Sequence, residues 1–255
     1  MRRREKFVLA TILLSFGFFL IQQVPLDWRY WAIGLFGLIS YAVASWALAD
    51  DLQFYERITI VPMNPLYSVS VALFYFLLPS SLVGQIILLS LFGIGQYALF
   101  LTSNIYSVAK GRTIQLLYAA SAIGFILSLV ISLFLTNTIF SLKFPFWANG
   151  LLIILTHFPL IFMSLWAVNL EEFIAKDILI YSSLTSLFLG EFATIISLIP
   201  MPIWNSSLFI MGLVYLSLGI LQSYLRGRLF KNTITEYSLM AGLLAILFLV
   251  FFPFK

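Results

Sequence analysis

Trp147-Ala-Asn-Gly-Leu-Leu-Ile-Ile-Leu-Thr-His157-Phe-Pro159-Leu-Ile-Phe-Met-Ser-Leu-Trp166-Ala-Val168 contains no Asp, Glu, Lys or Arg. A helix needs about 20 predominantly apolar residues to cross a bilayer core roughly 30 Å thick. Helices and closed barrels are the structures that satisfy every backbone group in hydrocarbon. The stretch therefore reads as a transmembrane helix over 147–168. Working outward, apolar runs bounded by charge, Pro or polar clusters predict eight more, at 7–24, 31–49, 58–79, 82–102, 115–135, 178–199, 207–225 and 237–253. The fold class expected is all-α, a polytopic membrane protein with nine transmembrane helices.

The composition agrees. Of 255 residues, 62% are hydrophobic and 9% charged, against about 25% charged in soluble domains, and the mean hydropathy is +1.06. Nine spans leave only short loops, which excludes a separate nucleotide-binding, nucleic-acid-binding or catalytic soluble domain. With no cysteine, disulfides, thiolate nucleophiles and Cys-ligated metals are excluded, and a single histidine excludes a His-cluster metal centre.

The positive-inside bias orients the chain. With the N-terminus inside, Arg2, Arg3, Arg4, Lys6, Arg57, Lys110, Arg112, Lys176, Arg226, Arg228 and Lys231 fall on the inner side. Only Arg29, Lys143 and Lys255 fall outside. Deleting the third span would move Lys110 and Arg112 to the outer side, so the bias supports nine spans with the C-terminus out. The first span follows Met-Arg-Arg-Arg-Glu-Lys without a small-residue cleavage pattern and reads as a retained signal anchor. Trp28, Trp31, Trp147 and Trp204 lie at predicted outer ends, and Trp46 and Trp166 at inner ends, as membrane anchoring requires.

Spans two to five and six to nine repeat with an offset close to 120 residues. Asp51 and Glu56 stand 121 residues before Glu172 and Asp177, and Pro79 stands 121 before Pro200. Trp31-Ala-Ile-Gly-Leu35 matches Trp147-Ala-Asn-Gly-Leu151 in part. This predicts a single membrane domain with a signal-anchor helix at 1–26 and parallel four-helix repeats at 27–136 and 137–255. Shared Trp belts and acidic loop starts are also common constraints on membrane proteins.

Most polar residues within the spans are Ser, Thr, Asn and Gln, which hydrogen-bond between helices. His157 and Glu191 are the titratable exceptions, at nearly matched depth on adjacent spans. A charge at mid-bilayer costs about 2.5–3.5 kcal/mol on insertion scales. The two are candidates for a pair or proton relay; the plainer reading is that each is neutral and bonded within the bundle. Pro159 removes a backbone bond to Leu155 and predicts a kink beside His157. In Pro62-Met-Asn64-Pro65, two prolines leave carbonyls unpaired, and Asn64 is positioned to satisfy one.

The inner loops concentrate the remaining charge. Asp50, Asp51, Glu56, Glu171, Glu172, Asp177 and Glu236 face Arg57, Lys110, Arg112, Lys176, Arg226, Arg228 and Lys231. This is a solvated rim of ion pairs, or carboxylates that hold Mg²⁺ while cations bind a phosphorylated substrate. On the second reading Asp50, Asp51, Glu171 and Glu172 are the metal candidates, and Arg57, Lys110 and Arg112 the phosphate candidates.

The loops Ala49-Asp-Asp-Leu-Gln-Phe-Tyr-Glu-Arg57 and Asn169-Leu-Glu-Glu-Phe-Ile-Ala-Lys-Asp177, with the nine-span layout, resemble intramembrane prenyltransferases of the aromatic-prenylating superfamily. The resemblance implies acidic motifs in the second and sixth inner loops that bind Mg²⁺–diphosphate. That family repeats aspartates every three or four residues; here the next acid follows after five in both loops. Separately, Gly190-Glu-Phe-Ala-Thr-Ile-Ile-Ser-Leu-Ile-Pro200 with Thr235-Glu-Tyr237 resembles uncharacterised multi-pass membrane proteins of candidate-phylum bacteria, which implies no chemistry.

Three functions are compatible with these readings. The first is a non-catalytic membrane subunit, or a binder or transporter of a lipid or small solute, with no cofactor. The second is a Mg²⁺-dependent transferase acting on an isoprenoid or other lipid diphosphate. The third is a purely structural partner in a membrane assembly. The expected partners are the bilayer, a lipid or small-molecule ligand and another membrane protein, not nucleic acid. The expected location is a bacterial cytoplasmic membrane.

Overall fold

The computed structural model describes residues 3–50, 52–79, 81–108, 114–170 and 174–252. Among these, the long elements are all α-helices, and no strand is present: α1 (Arg3–Gln22), α2 (Arg29–Leu48), α3 (Glu56–Thr59), α4 (Met63–Tyr75), α5 (Leu82–Ser107), α6 (Ile114–Ser141), α7 (Phe146–Asn169), α8 (Lys176–Ser197), α9 (Ile203–Leu225) and α10 (Lys231–Phe251). Taking α3 and α4 as one, nine helices among the described residues are long and apolar enough to cross a membrane. The chain forms two compact units, 1–127 and 128–255, with the boundary inside α6.

Several helices outrun the apolar windows of the sequence. The fifth span was expected to end at 135, but α6 continues to Ser141. Thr136, Asn137 and Thr138, which look like a terminus, are buried, and Thr138 Oγ1 donates to the Phe134 carbonyl at 2.8 Å. Likewise α9 begins at Ile203 rather than 207, directly after Pro202, and Ser206 and Ser207 donate back to the carbonyls of Pro202 and Ile203. A hydroxyl bonded to the preceding turn lets a polar residue remain in an apolar helix. The ninth span was expected from 237; α10 starts at Lys231.

The third span is the opposite case. Expected as one helix over 58–79, it breaks into α3 and α4 around Ile60–Pro62. Pro62 and Pro65 have no N–H, so the i→i−4 ladder loses two donors within one turn. By contrast, α7 is continuous through Pro159.

In the first unit, α1, α2, α4 and α5 pack together. Phe7, Ala10, Leu14, Phe18 and Ile21 recur at three- and four-residue intervals and form the buried face of α1. Phe92 of α5 is the centre of an aromatic cluster, with ring centroids 4.8 Å from Phe18, 5.7 Å from Tyr67 and 6.1 Å from Phe36. In the second unit, α7 and α8 make the tightest pair. Gly150 and Gly190 face one another so closely that a Cβ on either would lie 2.9 Å from the other's carbonyl oxygen. Small residues at such crossings let backbones approach and raise van der Waals contact, which drives helix association where solvent is as apolar as the side chains.

Candidate functional site

His157 lies on α7 in the second unit and is fully buried. Its Nδ1 is 3.1 Å from the Ile153 carbonyl oxygen, which only accepts, so Nδ1 carries the proton. In a neutral ring Nε2 then accepts, and it lies 2.9 Å from Ser132 Oγ and 3.4 Å from Thr136 Oγ1. One turn before Ser132, Ser128 Oγ meets Ser164 Oγ at 2.8 Å, and Gln222 donates to the Ser164 carbonyl at 3.2 Å. Ser128, Ser132 and Thr136 repeat every four residues, so they form one polar stripe of α6. His157 and Ser164, two turns apart on α7, meet it. Both ring nitrogens have hydrogen-bond partners.

Glu191 does not join this ladder. It stands on the exposed face of α8, whereas the partners of His157 come from α6 and α7. The structure does not bring the two expected relay residues together.

The first unit has a second buried polar chain, and its direction follows from donor and acceptor types. Asn64 Nδ2 donates to the Val61 carbonyl at 3.3 Å, and the Asn64 N–H donates to the same oxygen at 3.1 Å. That carbonyl is the one Pro65 leaves without its i+4 donor. Gln96 Nε2 donates to Asn64 Oδ1 at 3.0 Å, and Ser68 Oγ donates to Gln96 Oε1 at 3.4 Å. Since the proton of Ser68 is spent, Ser40 Oγ donates to Ser68 Oγ at 2.8 Å. Ser40, Ser68, Asn64 and Gln96 are all fully buried. The chain runs from α2 through α4 and α5 to the helix break, and it ends on a carbonyl.

At the same unit's charged end, Lys6 Nζ donates to both oxygens of Asp50, at 2.6 and 2.8 Å. The ammonium holds the Asp50 carboxyl below the usual aspartate range. Arg57 is exposed, and its carbonyl accepts from Tyr41 Oη at 3.2 Å. Glu56 is buried and accepts the Gln53 N–H at 2.9 Å. Asp51, Lys110, Arg112, Glu171 and Glu172 lie outside the described residues. Among the described residues, no group of three or more His, Cys, Asp or Glu side chains is placed to hold a metal ion.

No protein family, curated protein or solved structure matches this chain.

Sequence reasoning singled out His157 and Asn64 but not their partners Ser132, Thr136, Ser40, Ser68 and Gln96. The four-residue spacing of Ser128, Ser132 and Thr136 was a visible signal. Gln96 gave a weaker one, as an amide well inside the predicted span 82–102.

Proposed function

We propose that the protein is a non-catalytic integral membrane subunit. It acts through a stable helical bundle and the surfaces that bundle presents to lipid or to other membrane proteins. The observation that carries this reading is how the buried polar side chains are used. His157 is satisfied at both nitrogens, and the Ser40–Ser68–Gln96–Asn64 chain terminates on the Val61 carbonyl. Buried groups bonded to each other hold helices in register and leave little to bind a substrate.

The charge bias supports an N-terminus inside and a C-terminus outside, and the 121-residue offsets support an ancestral duplication of four spans after the first helix. A bacterial cytoplasmic membrane is the proposed location, and no cofactor is assigned.

Native mass spectrometry of the gently solubilised protein, with and without Mg²⁺, tests the reading. A bundle whose bound lipids are indifferent to Mg²⁺ fits it. Retention of a polyprenyl or other lipid diphosphate only when Mg²⁺ is present would refute it in favour of a transferase built on the inner-loop carboxylates.

A further inference from the structure

At one end of the second unit, four helix ends surround a polar cavity of about 260 Å³. Its lining includes Lys143 and Phe144 after α6, Asn149 of α7, Ser197 of α8, Met201 after α8 and Ser206 of α9. A water in the liquid takes ~30 Å³, so the space admits a larger polar group. Asn149 is only 4% exposed, and its amide sits between two of the lining residues: Nδ2 donates to the Phe144 carbonyl at 3.3 Å and to Ser197 Oγ at 3.1 Å. A carbonyl only accepts, which fixes the amide orientation. The other amide atom, Oδ1, is buried and has no partner among the described residues. Buried acceptors are normally satisfied, so this one calls for a donor the chain does not supply. Lys143 brings the opposite requirement. Its ammonium only donates, it is exposed, and among the described residues no carboxylate pairs with it. Both α7 and α9 begin at this end, behind Pro145 and Pro202, with no side-chain cap on either. Two partly positive helix ends therefore add to the Lys143 charge.

We propose that this cavity holds the headgroup of a phosphatidylethanolamine, whose phosphate faces Lys143 and whose ammonium donates to Asn149 Oδ1. The inference rests on the subunit reading above and names the lipid that the bundle retains. An anion alone satisfies Lys143 and leaves Asn149 Oδ1 bare, and a cation alone does the reverse. A phosphoethanolamine group carries both charges side by side. A choline headgroup has the same phosphate but no N–H, so it cannot satisfy the amide oxygen. Two observations favour a lipid over a free phosphate monoester. Trp147 and Trp204, in the first turns of α7 and α9, are exposed, which marks this end as lying at headgroup level. Met201 also lines an apolar groove between α9 and α10, with Leu208, Phe209, Leu244 and Phe248, along which an acyl chain fits.

The test compares two lipids with identical tails. The full chain in detergent is mixed with equimolar dioleoyl phosphatidylethanolamine and dioleoyl phosphatidylcholine, and native mass spectrometry reads which lipid stays bound. The expected result is retention of the ethanolamine lipid at least about tenfold above the choline lipid. Asn149→Ala brings the ethanolamine lipid down to the choline level, and Lys143→Gln lowers its retention at least about fivefold. Circular dichroism checks that each variant is folded. Lys143 is exposed, so its variant keeps the proposal falsifiable even where Asn149→Ala fails to fold. Equal retention of the two lipids overturns the proposal and leaves the cavity to water, as does retention unchanged by either substitution in a folded protein. Displacement of the bound lipid by soluble O-phosphoethanolamine at equal concentration overturns it in favour of a free phosphate monoester. None of these failures touches the subunit reading, because only Mg²⁺-dependent retention of a lipid diphosphate defeats that.

Discussion

Replacing Gln96 with Leu removes the middle of the buried chain in the first unit while keeping a similar side-chain volume. Two bonds disappear: the one Gln96 donates to Asn64 Oδ1 at 3.0 Å and the one it accepts from Ser68 at 3.4 Å. Interhelical hydrogen bonds in membrane proteins are worth about 0.6 kcal/mol on average and up to about 1.7, so the pair amounts to about 1–3 kcal/mol. The upper half of that range is expected, because Asn64 Oδ1 is left buried without a donor, and an unsatisfied buried group is costly. Reversible unfolding in mixed micelles, followed by circular dichroism, measures the change against Ser90→Ala. Ser90 is exposed and its Oγ donates to the Ile86 carbonyl of its own helix, so that substitution should fall within about 0.5 kcal/mol of wild type. The Gln96→Leu, Asn64→Ala double mutant completes a cycle, with an expected coupling of at least ~0.5 kcal/mol. A Gln96→Leu protein as stable as wild type, or strictly additive single effects, would refute the assignment of this chain as structural.

Three other perturbations probe different parts of the molecule. Gly190→Val places a branched side chain against the Gly150 backbone and should destabilise the second unit by about 1–3 kcal/mol or more, read in the same unfolding assay. The Lys6–Asp50 pair depresses the Asp50 carboxyl, so its contribution is present above the ordinary aspartate value of 3.8 and is lost as pH falls through the lower folded value. The difference in melting temperature between wild type and Asp50→Asn should therefore shrink as the medium is acidified below that value, and also with added salt. For topology, Lys143→Cys should react with a membrane-impermeant maleimide in intact cells, whereas Leu229→Cys should react only after permeabilisation; the reverse pattern overturns the proposed orientation.

The number of spans was legible because hydropathy over about 20 residues is a strong, local signal. The helix ends were less so. At Thr136–Thr138 and Ser206–Ser207 the sequence shows polar residues and suggests a boundary. Whether the chain stays helical there depends on back-bonding to the preceding turn and on neighbours that bury the side chain. Pro62 and Pro65 announced a disturbed backbone, and Asn64 was identified as the residue able to repair it. The remedy also needed Gln96, far along the chain, whose amide inside an apolar span is a signal but does not name Asn64 as its partner. His157 and Glu191 show the limit of depth arguments. Their positions along two adjacent spans match, but the rotation of each helix about its axis decides what a side chain meets. That rotation is set by the Gly150–Gly190 crossing and by the α6 stripe. One residue consequently lies inside the bundle and the other on its surface.

On the proposed reading the intramembrane polar groups serve as structural bonds rather than a proton path. The chain's only histidine reports on this without mutation. Selective ¹⁵N labelling of histidine gives one residue's signals in solid-state NMR of the protein in lipid. The expected spectrum at neutral pH shows a protonated Nδ1 and an unprotonated Nε2 that accepts from Ser132. A proton on Nε2 instead, or an imidazolium with both nitrogens protonated, would contradict it.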